Sequence, residues 1–497
     1  MKQQIKRNAL AYYCYFAVTA VATFVTSPFL IGYLGSGSFG AFKAAQKLMD
    51  IASVADGRSA QALKWITARL LGSGDHERLS RSVSSAVLVA GAFMLPLLSV
   101  VTLIAFASDS LIRVDETTER ALIASCVAIL GLNLVLSPLL TIPDAALVGS
   151  NRGYISTVSQ TFWFALANAL MVFFAWAGYS IVYLALAVLI GTIGNGLSLL
   201  VYTRRSTQWF RWARPSRDEV RSFTGLSGWL LAWAGVEKFL LAGELLLISS
   251  MIGATSVTEY VLATYVSQLI LAVTLMTASA VTPSIGQLIT LKLGQARRLI
   301  ISLREVIFAI ASLGASGLLL LNGAFVSLWV GSEYFVGGAA NLLIALAMVE
   351  IAMIRFYSQI GDLTLKVRSR ALLGIATTAL TILVPLGVAQ FRAITLEAMI
   401  AAILIARLPL LVYLAWQVRA LIRIPSIGHT RIITAIVLMS ACYILGTRVE
   451  PRSWFQFSAA VCLMVVVAVP TLSLAILSPQ TRRHLGEAIS RRIRKEG

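Results

Sequence analysis

Charge is scarce in this sequence. Only 13% of its 497 residues are Asp, Glu, Lys or Arg, while 58% are hydrophobic. A soluble domain runs about 25% charged and about 45 to 50% apolar. Most of the chain must therefore sit in lipid, and no stretch is left over for a soluble catalytic domain. Histidine is scarcer still: His76, His429 and His484 lie far apart. No serine or cysteine is set in a nucleophile motif, and no glycine-rich phosphate loop follows a strand, so hydrolytic chemistry and ATP hydrolysis have no support. The four cysteines, Cys14, Cys126, Cys442 and Cys462, fall in apolar runs without metal-ligand spacing. They imply neither a disulfide framework nor a zinc site and read as small apolar core residues.

Acidic residues are outnumbered, 22 against 41 Lys plus Arg, which leaves a net charge of +19. A nucleic-acid binder would cluster that excess on one solvated surface; here it is scattered between apolar runs, so no nucleic-acid partner is expected. A polytopic polymerase or glycosyltransferase would expose a sizeable outer loop with catalytic residues. The longest outer loop, around 109–120, offers Asp109, Asp115, Glu116 and Glu119 without an ordered metal or acid/base motif.

At roughly 20 apolar residues per span the length accommodates about 12 to 15 transmembrane helices. Hydropathy places about fourteen, near 9–33, 42–70, 83–108, 121–147, 155–177, 181–203, 222–252, 258–289, 300–330, 338–363, 371–391, 396–418, 431–447 and 455–477. The first follows Lys2, Lys6 and Arg7 and is far longer than a signal-peptide core, so it is expected to be an uncleaved span. The fold class is all-α and polytopic.

Fourteen is even, so both termini should share a side, and the distribution of cations tests the count. Twenty-eight fall on the amino-terminal side and five on the other, Arg113, Arg120, Arg392, Arg448 and Arg452. The basic excess places both termini in the cytoplasm. Two basic segments there need no partner protein. Trp209-Phe210-Arg211-Trp212-Ala213-Arg214 interleaves aromatics with arginines and reads as a membrane-interface anchor. The tail sets Leu485, Ile489 and Ile493 one turn apart among arginines, the pattern of an amphipathic helix on anionic headgroups.

An internal repeat is present. Leu30-Ile31-Gly32-Tyr33-Leu34-Gly35 parallels Ile248-Ser249-Ser250-Met251-Ile252-Gly253 at an offset of 218. Gly74-Asp75-His76-Glu77-Arg78-Leu79 parallels Gly294-Gln295-Ala296-Arg297-Arg298-Leu299 at 220. Their order argues for two six-helix lobes in the same orientation, related by a pseudo-two-fold axis. The expected organisation is an N-lobe (1–205), a basic cytoplasmic linker (206–221), a C-lobe (222–424), an appended helix pair (425–478) and a basic amphipathic tail (479–497).

At this point the chain resembles the Wzx-type polysaccharide flippases of the multidrug/oligosaccharidyl-lipid/polysaccharide exporter superfamily. The resemblance rests on Pro28-Phe29-Leu30-Ile31-Gly32-Tyr33-Leu34-Gly35 with Phe39-Gly40, and on Ala55-Asp56-Gly57-Arg58-Ser59-Ala60 leading to Ala68-Arg69-Leu70-Leu71-Gly72. It continues in Ala146-Leu147-Val148-Gly149-Ser150-Asn151-Arg152, Ile252-Gly253 to Glu259-Tyr260, Pro283 and Leu328-Trp329-Val330-Gly331. What it implies is a transporter in the bacterial inner membrane, with two lobes around a central cavity. It would carry undecaprenyl-pyrophosphate-linked oligosaccharide from the cytoplasmic to the periplasmic leaflet for O-antigen, capsule or exopolysaccharide. The implied partners are that substrate, membrane lipids, and the polymerase and chain-length proteins of such a pathway. No cofactor is expected; proton or sodium coupling and the membrane potential are the energy sources to consider.

Ionisable groups in lipid are costly and mark function or pairing. On a continuous second helix Lys43, Gln46, Lys47, Asp50, Arg58, Gln61 and Lys64 share one arc of about 120 degrees, a polar face expected to line something wet. Lys43, Lys64 and Arg69 could equally snorkel to their interfaces. Arg58, mid-span, is expected in the cavity, or else paired with Asp50 or Asp56. Helix seven carries Trp229, Trp233, Glu237 and Glu244, a face for sugar stacking and cation coupling, or an interfacial tryptophan belt with a structural ion pair. Helix ten offers Arg355 and Asp362, which share a face, as a cavity cation with its coupling group or as an intramembrane pair. Asp144, after Pro143, more plausibly caps or kinks than catalyses. The substrate-binding set is therefore Lys43, Lys47, Arg58, Gln61, Lys64, Arg355, Trp229 and Trp233, and the coupling set Asp50, Glu237, Glu244 and Asp362.

The rival within transport is a cation-coupled drug exporter of the same superfamily, which would want an acidic cavity. The cationic second helix favours an anionic substrate such as a pyrophosphate. Lipid II flippases and several Wzx-like relatives carry arginine in the first helix; this chain has no ionisable residue between Arg7 and Lys43. The expected mechanism is alternating access by rocking of helices 1 to 6 against helices 7 to 12, without covalent chemistry.

Overall fold

The computed structural model describes residues 2–70, 75–112, 117–215, 220, 228–291, 293–362, 367–391, 394–449 and 451–483. Regular structure among them is helical throughout: α1 (Lys2–Ala52), α2 (Ser59–Leu70), α3 (His76–Phe106), α4 (Ser108–Leu111), α5 (Thr117–Leu140), α6 (Ile142–Gly149), α7 (Gly153–Trp176), α8 (Ile181–Ser206) and α9 (Gly228–Met251). There follow α10 (Ala254–Ala263), α11 (Tyr265–Leu291), α12 (Leu293–Trp329), α13 (Gly337–Asp362), α14 (Val367–Phe391), α15 (Leu396–Ile422), α16 (His429–Gly446) and α17 (Trp454–Ile476). Eleven helices among the described residues are long and apolar enough to cross a membrane, twelve if α10 and α11, bent by 54°, form one span. The chain is a multi-pass, all-α membrane protein.

The difference from fourteen has two physical causes. The first two expected spans run together as Leu10–Asp56, 47 residues. At 1.5 Å per residue that is about 70 Å, more than twice the roughly 30 Å of a hydrocarbon core. The stretch is divided at Gly35, whose φ of 78° and ψ of 163° are not helical. The seventh expected span exists as α9, but Glu237, Lys238 and Glu244 lie within eight residues of it, too much charge for a purely apolar span.

The chain divides into two compact units, Met1–Thr258 and Glu259–Gly497. In the first, α1 packs along α5, α7 and α9, α3 on α5, α8 on both α5 and α7, and α2 between α3 and α6. In the second, α12 packs on α11 and α13, α15 on α13 and α14, and the pair α16 and α17 on α12. The packing order repeats with a shift of six spans: α2 on α3, α3 on α5, α5 on α8 and α7 on α8 correspond to α11 on α12, α12 on α13, α13 on α15 and α14 on α15. The two copies of the sequence repeat also end alike, on Gly35 (φ 78°) and Gly253 (φ 142°). Both need a left-handed backbone, which glycine adopts without steric cost.

Broken helices in lipid require substitutes for their lost backbone bonds. At the bend between α10 and α11, the amide of Asn322 on α12 donates to the Ala263 carbonyl (2.9 Å) and to Asn341 Oδ1 (2.9 Å), while Asn341 donates to the Leu318 carbonyl (3.0 Å). The carboxylate of Glu305 is a second hub of this unit. It accepts from Arg431 Nη1 (2.6 Å), from the Ser478 backbone N–H (2.9 Å) and from Thr481 Oγ1 (2.7 Å). One carboxylate thus ties α12 to the entry of α16 and the exit of α17.

Three sequence expectations change. Trp209 and Phe210 are not interface anchors: they are 5% and 8% exposed and pack with Leu79, Val83 and Ile142. The Trp209 carbonyl accepts from Ser80 Oγ (2.8 Å), and the Ala213 N–H donates to Ser84 Oγ (2.9 Å). Of the three aromatics in that segment only Trp212 is exposed, alongside Arg211 and Arg214. Arg304 and Arg370, two of the twenty-eight cations assigned to the amino-terminal side, are buried on α12 and α14 because those helices begin before the apolar runs do. Arg304 donates to the Pro425 carbonyl (2.6 Å) and Arg370 to that of Ser358 (2.9 Å). Of the cysteines, Cys126 and Cys442 are buried, while Cys14 and Cys462 are exposed. The amphipathic tail around Leu485, Ile489 and Ile493 lies outside the described residues.

Candidate functional site

The second expected span is a discontinuous helix. The carboxy-terminal part of α1 ends at Ala52, a 3-10 turn covers Ser53–Asp56, and α2 starts at Ser59. Sequence causes the break. Ser53 Oγ donates back to the Asp50 carbonyl (2.6 Å), and Asp56 Oδ1 accepts the backbone N–H of Arg58 (2.8 Å), local bonds that compete with the helical ladder. Gly57 and Arg58 then take positive φ, 68° and 49°. The Arg58 carbonyl accepts from the Ala62 N–H (3.1 Å) and so begins α2. Phe93 of α3 presses on Gly57, where an added Cβ would run into its ring. Irregular backbone at membrane depth is tolerated where it is packed in protein or lines a water-filled space.

This break dissolves the single polar arc expected from the sequence, because a 3-10 turn and two left-handed residues reset the rotational phase between Asp50 and Ser59. Two shorter polar groups remain. On α1, Lys43 Nζ donates to Gln46 Oε1 (3.4 Å) and stands 5.4 Å and 5.8 Å from the ring centroids of Phe39 and Phe42. Lys47 pairs with Asp50 (3.3 Å), both substantially exposed, a pairing that contributes at most about 1 kcal/mol. At the break and on α2, Arg58 and Gln61 are exposed and Lys64 is half-buried. Among the described residues no carboxylate forms a salt bridge with the Arg58 guanidinium: Asp50 goes to Lys47, and Asp56 caps a backbone. Asp144, in the first turn of α6, accepts from Ser156 Oγ.

The α9 residues pack inward. Trp233 is 3% and Glu244 9% exposed, and Glu237 is half-buried; the side chain of Trp229 lies outside the described residues. Lys238 of α9 is near enough to Asp56 to act on it electrostatically, and Gly235 faces Val54 of the 3-10 turn. In the second unit Arg355 is half-buried on α13, and the Asp362 side chain lies outside the described residues.

Sequence reasoning missed a cavity of about 440 Å³ inside the first unit, bounded by α1, α5, α7 and α8, with Lys43 and Gln46 in its wall. Its other polar groups are neutral and spread over four helices, so no single helix shows an ionisable face. It also missed the buried Arg407 of α15.

No family model matches the sequence, and no curated protein matches it. Solved structures do. A lipid II flippase, MurJ, in an inward closed conformation superimposes with a TM-score of 0.68 at 13% identity, covering 94% of this chain and 98% of that one. An inward-facing multidrug resistance MATE family transporter of the MOP superfamily gives 0.61 at 15% identity over 81% and 94%. A MATE in the bent conformation gives 0.54 at 14% over 85% and 95%. These neighbours are transporters and flippases. Over 81 to 94% of its length the chain therefore has the fold of these transporters.

Proposed function

We propose that the protein is a flippase that moves a pyrophosphate-linked oligosaccharide lipid from the cytoplasmic to the outer leaflet of a bacterial inner membrane, with its termini in the cytoplasm. The observation that carries this reading is the interrupted helix at Ser53–Arg58, which presents the exposed guanidinium of Arg58, near Asp56 but in no salt bridge among the described residues, at the start of a half-helix. Discontinuous membrane helices mark substrate sites in transporters, and half-helix amino termini favour anionic groups. A guanidinium adds bidentate recognition of phosphate. Lys47 and Lys64 extend the basic character on either side of the break, Gln61 adds an uncharged donor and acceptor, and Trp229 and Trp233 are the further candidates of the first unit; in the second unit the candidate is Arg355.

No covalent chemistry is needed. A pyrophosphate diester with about two negative charges moves outward down an inside-negative potential, gaining roughly 4 to 5 kcal/mol per 100 mV at about 2.3 kcal/mol per charge. Asp50, Glu237, Glu244 and Asp362 are the candidates for additional proton or sodium coupling. The competing reading is a drug exporter of the same superfamily. The cavity of the first unit weighs against it: among the described residues that line it none is Asp or Glu and one, Lys43, is a cation, so an organic cation meets a like charge there.

Deletion of the gene tests the proposal. The expected result is accumulation of lipid-linked repeat units on the inner leaflet with synthesis intact. Loss of synthesis itself would identify an enzyme, and undiminished surface polysaccharide with altered drug tolerance would identify the exporter.

A further inference from the structure

The cavity of the first unit has an interior unlike an ordinary apolar pocket between membrane helices. Its volume, about 440 Å³, falls within the range of small-molecule sites. At its deep end Asn168 of α7 and Thr26 of α1 are buried. The Asn168 amide nitrogen donates to the Phe164 carbonyl (2.9 Å), and its oxygen accepts a long bond from Thr26 (3.4 Å). Asn195 of α8 accepts from Ser159 Oγ (2.8 Å), which leaves the donors of its amide nitrogen to the cavity. Thr192 donates to the Val188 carbonyl of its own helix (3.1 Å), which leaves its lone pairs as acceptors. Gln160, at the exposed mouth, forms no hydrogen bond within the described residues and offers both donor and acceptor.

The wall also holds a positioned aromatic plate. The Trp163 indole N–H donates to Ser198 Oγ (3.0 Å), and its ring lies so close to Gly194 that an added Cβ would enter the ring. Both contacts fix the indole before any ligand arrives. Among the described residues of the lining Lys43 is the one charged side chain. A metal ion or organic cation would meet the positive charge of Lys43 and no carboxylate among the described lining residues. A sugar ring has many partners: each hydroxyl is both donor and acceptor, and the C–H face of the ring can lie on an indole. The capacity still open, the Asn195 amide nitrogen, the Thr192 lone pairs and the whole amide of Gln160, is neutral and both donating and accepting, which suits water or a hydroxyl-bearing occupant.

We infer that this cavity receives a hydroxyl-bearing sugar ring of the transported glycan, held by Gln160, Asn168, Thr192 and Asn195 and stacked on Trp163. The inference rests on the proposed flippase function and adds where the sugar is recognised, away from the cationic break at Arg58. A flippase with this device distinguishes glycans by the hydroxyl pattern of one residue.

The test replaces Gln160 with the photocrosslinker p-benzoylphenylalanine in cells, with a second protein carrying it at Leu132, which is exposed outside the cavity. After irradiation, purification and mild acid, the expected result is sugar masses bound at position 160 and none at 132. In parallel, Gln160→Ala and Trp163→Ala should lower polysaccharide export at least tenfold at unchanged membrane levels, with Trp163→Phe retaining a third or more. Gln160→Ala removes no internal hydrogen bond, so misfolding does not obscure its result. Normal export by Gln160→Ala and Trp163→Ala, with only phospholipid or nothing crosslinked, in a strain where gene deletion still traps lipid-linked glycan, overturns the cavity inference alone. Full export after deletion overturns the flippase reading and this inference with it.

Discussion

Thr258 Oγ1 donates a 2.5 Å hydrogen bond to the carbonyl of Ser36, 222 residues away in sequence. The same contact brings Gly40 against the Ala254 carbonyl and the Thr258 hydroxyl. Under the repeat offset of 218, Ser36 corresponds to Ala254 and Gly40 to Thr258. Each residue therefore meets the repeat counterpart of the other, a reciprocal contact made inside the first unit.

Gly40 is expected to tolerate no side chain. A Cβ there meets a backbone carbonyl that cannot step aside, so Gly40→Ala should cost about 1 to 3 kcal/mol as an overpacking change. Thermal unfolding of the detergent-purified protein should show a lowered midpoint. Gly37→Ala, with open space around its Cβ, is the control and should leave the midpoint unchanged or raise it.

The break in the second span makes Gly57 doubly constrained. Its φ of 68° disfavours any Cβ, and Phe93 occupies the place where one would go. Gly178, with φ 80° and nothing nearby, isolates the conformational cost, about 1 to 2 kcal/mol. Gly57→Ala should destabilise more than Gly178→Ala in the same unfolding assay, and Gly57→Ala with Phe93→Ala should recover part of the difference. Equal effects at the two glycines would remove the packing argument.

Glu305 should govern attachment of the carboxy-terminal helix pair. It is 3% exposed and holds Arg431 and the segment at Ser478 and Thr481. Breaking a buried pair costs about 3 to 5 kcal/mol, and Arg431 is 24% exposed, which favours the lower value. Glu305→Gln should render the links flanking α16 and α17 sensitive to limited proteolysis while α12 stays protected. An unchanged digestion pattern would show that apolar packing alone holds the pair.

The fold was legible because apolar runs and flanking cations are recorded along the chain: each expected span corresponds to a helix or a broken helix. The repeat was legible from two glycine-terminated segments, Leu30 to Gly35 and Ile248 to Gly253, whose backbones share positive φ. The site was legible only in part. Arg58 stood out as a mid-span cation, but the wheel drawn through Lys43 and Lys64 assumed an unbroken helix, and the local bonds of Ser53 and Asp56 ended it. Asn168, Gln160 and Asn195 were silent because neutral amides on separate helices show no pattern until packing gathers them. Trp209 and Phe210 misled because aromatic-basic strips look alike whether they face headgroups or a protein core.

Arg58 separates a substrate role from a structural one. Its guanidinium is exposed and forms no salt bridge among the described residues, and the bond Asp56 makes to it is to the Arg58 backbone N–H, which alanine keeps, so Arg58→Ala should accumulate at the wild-type level in the membrane. Export of polysaccharide, measured on the same cells, should fall at least tenfold. Arg58→Lys should retain part of it, since a point charge survives while the bidentate fork is lost. Normal export by Arg58→Ala would remove the residue from the site.

The most direct measurement is transbilayer movement itself. Lipid-linked glycan extracted from the deletion strain is placed in the inner leaflet of proteoliposomes, and its arrival outside is followed by digestion with an added glycosidase. Vesicles holding the wild-type protein should expose the glycan several-fold faster than empty vesicles, faster again with a potential that is negative inside, and those holding Arg58→Ala should match empty ones. Wild-type vesicles that expose it no faster than empty ones would contradict the flippase account.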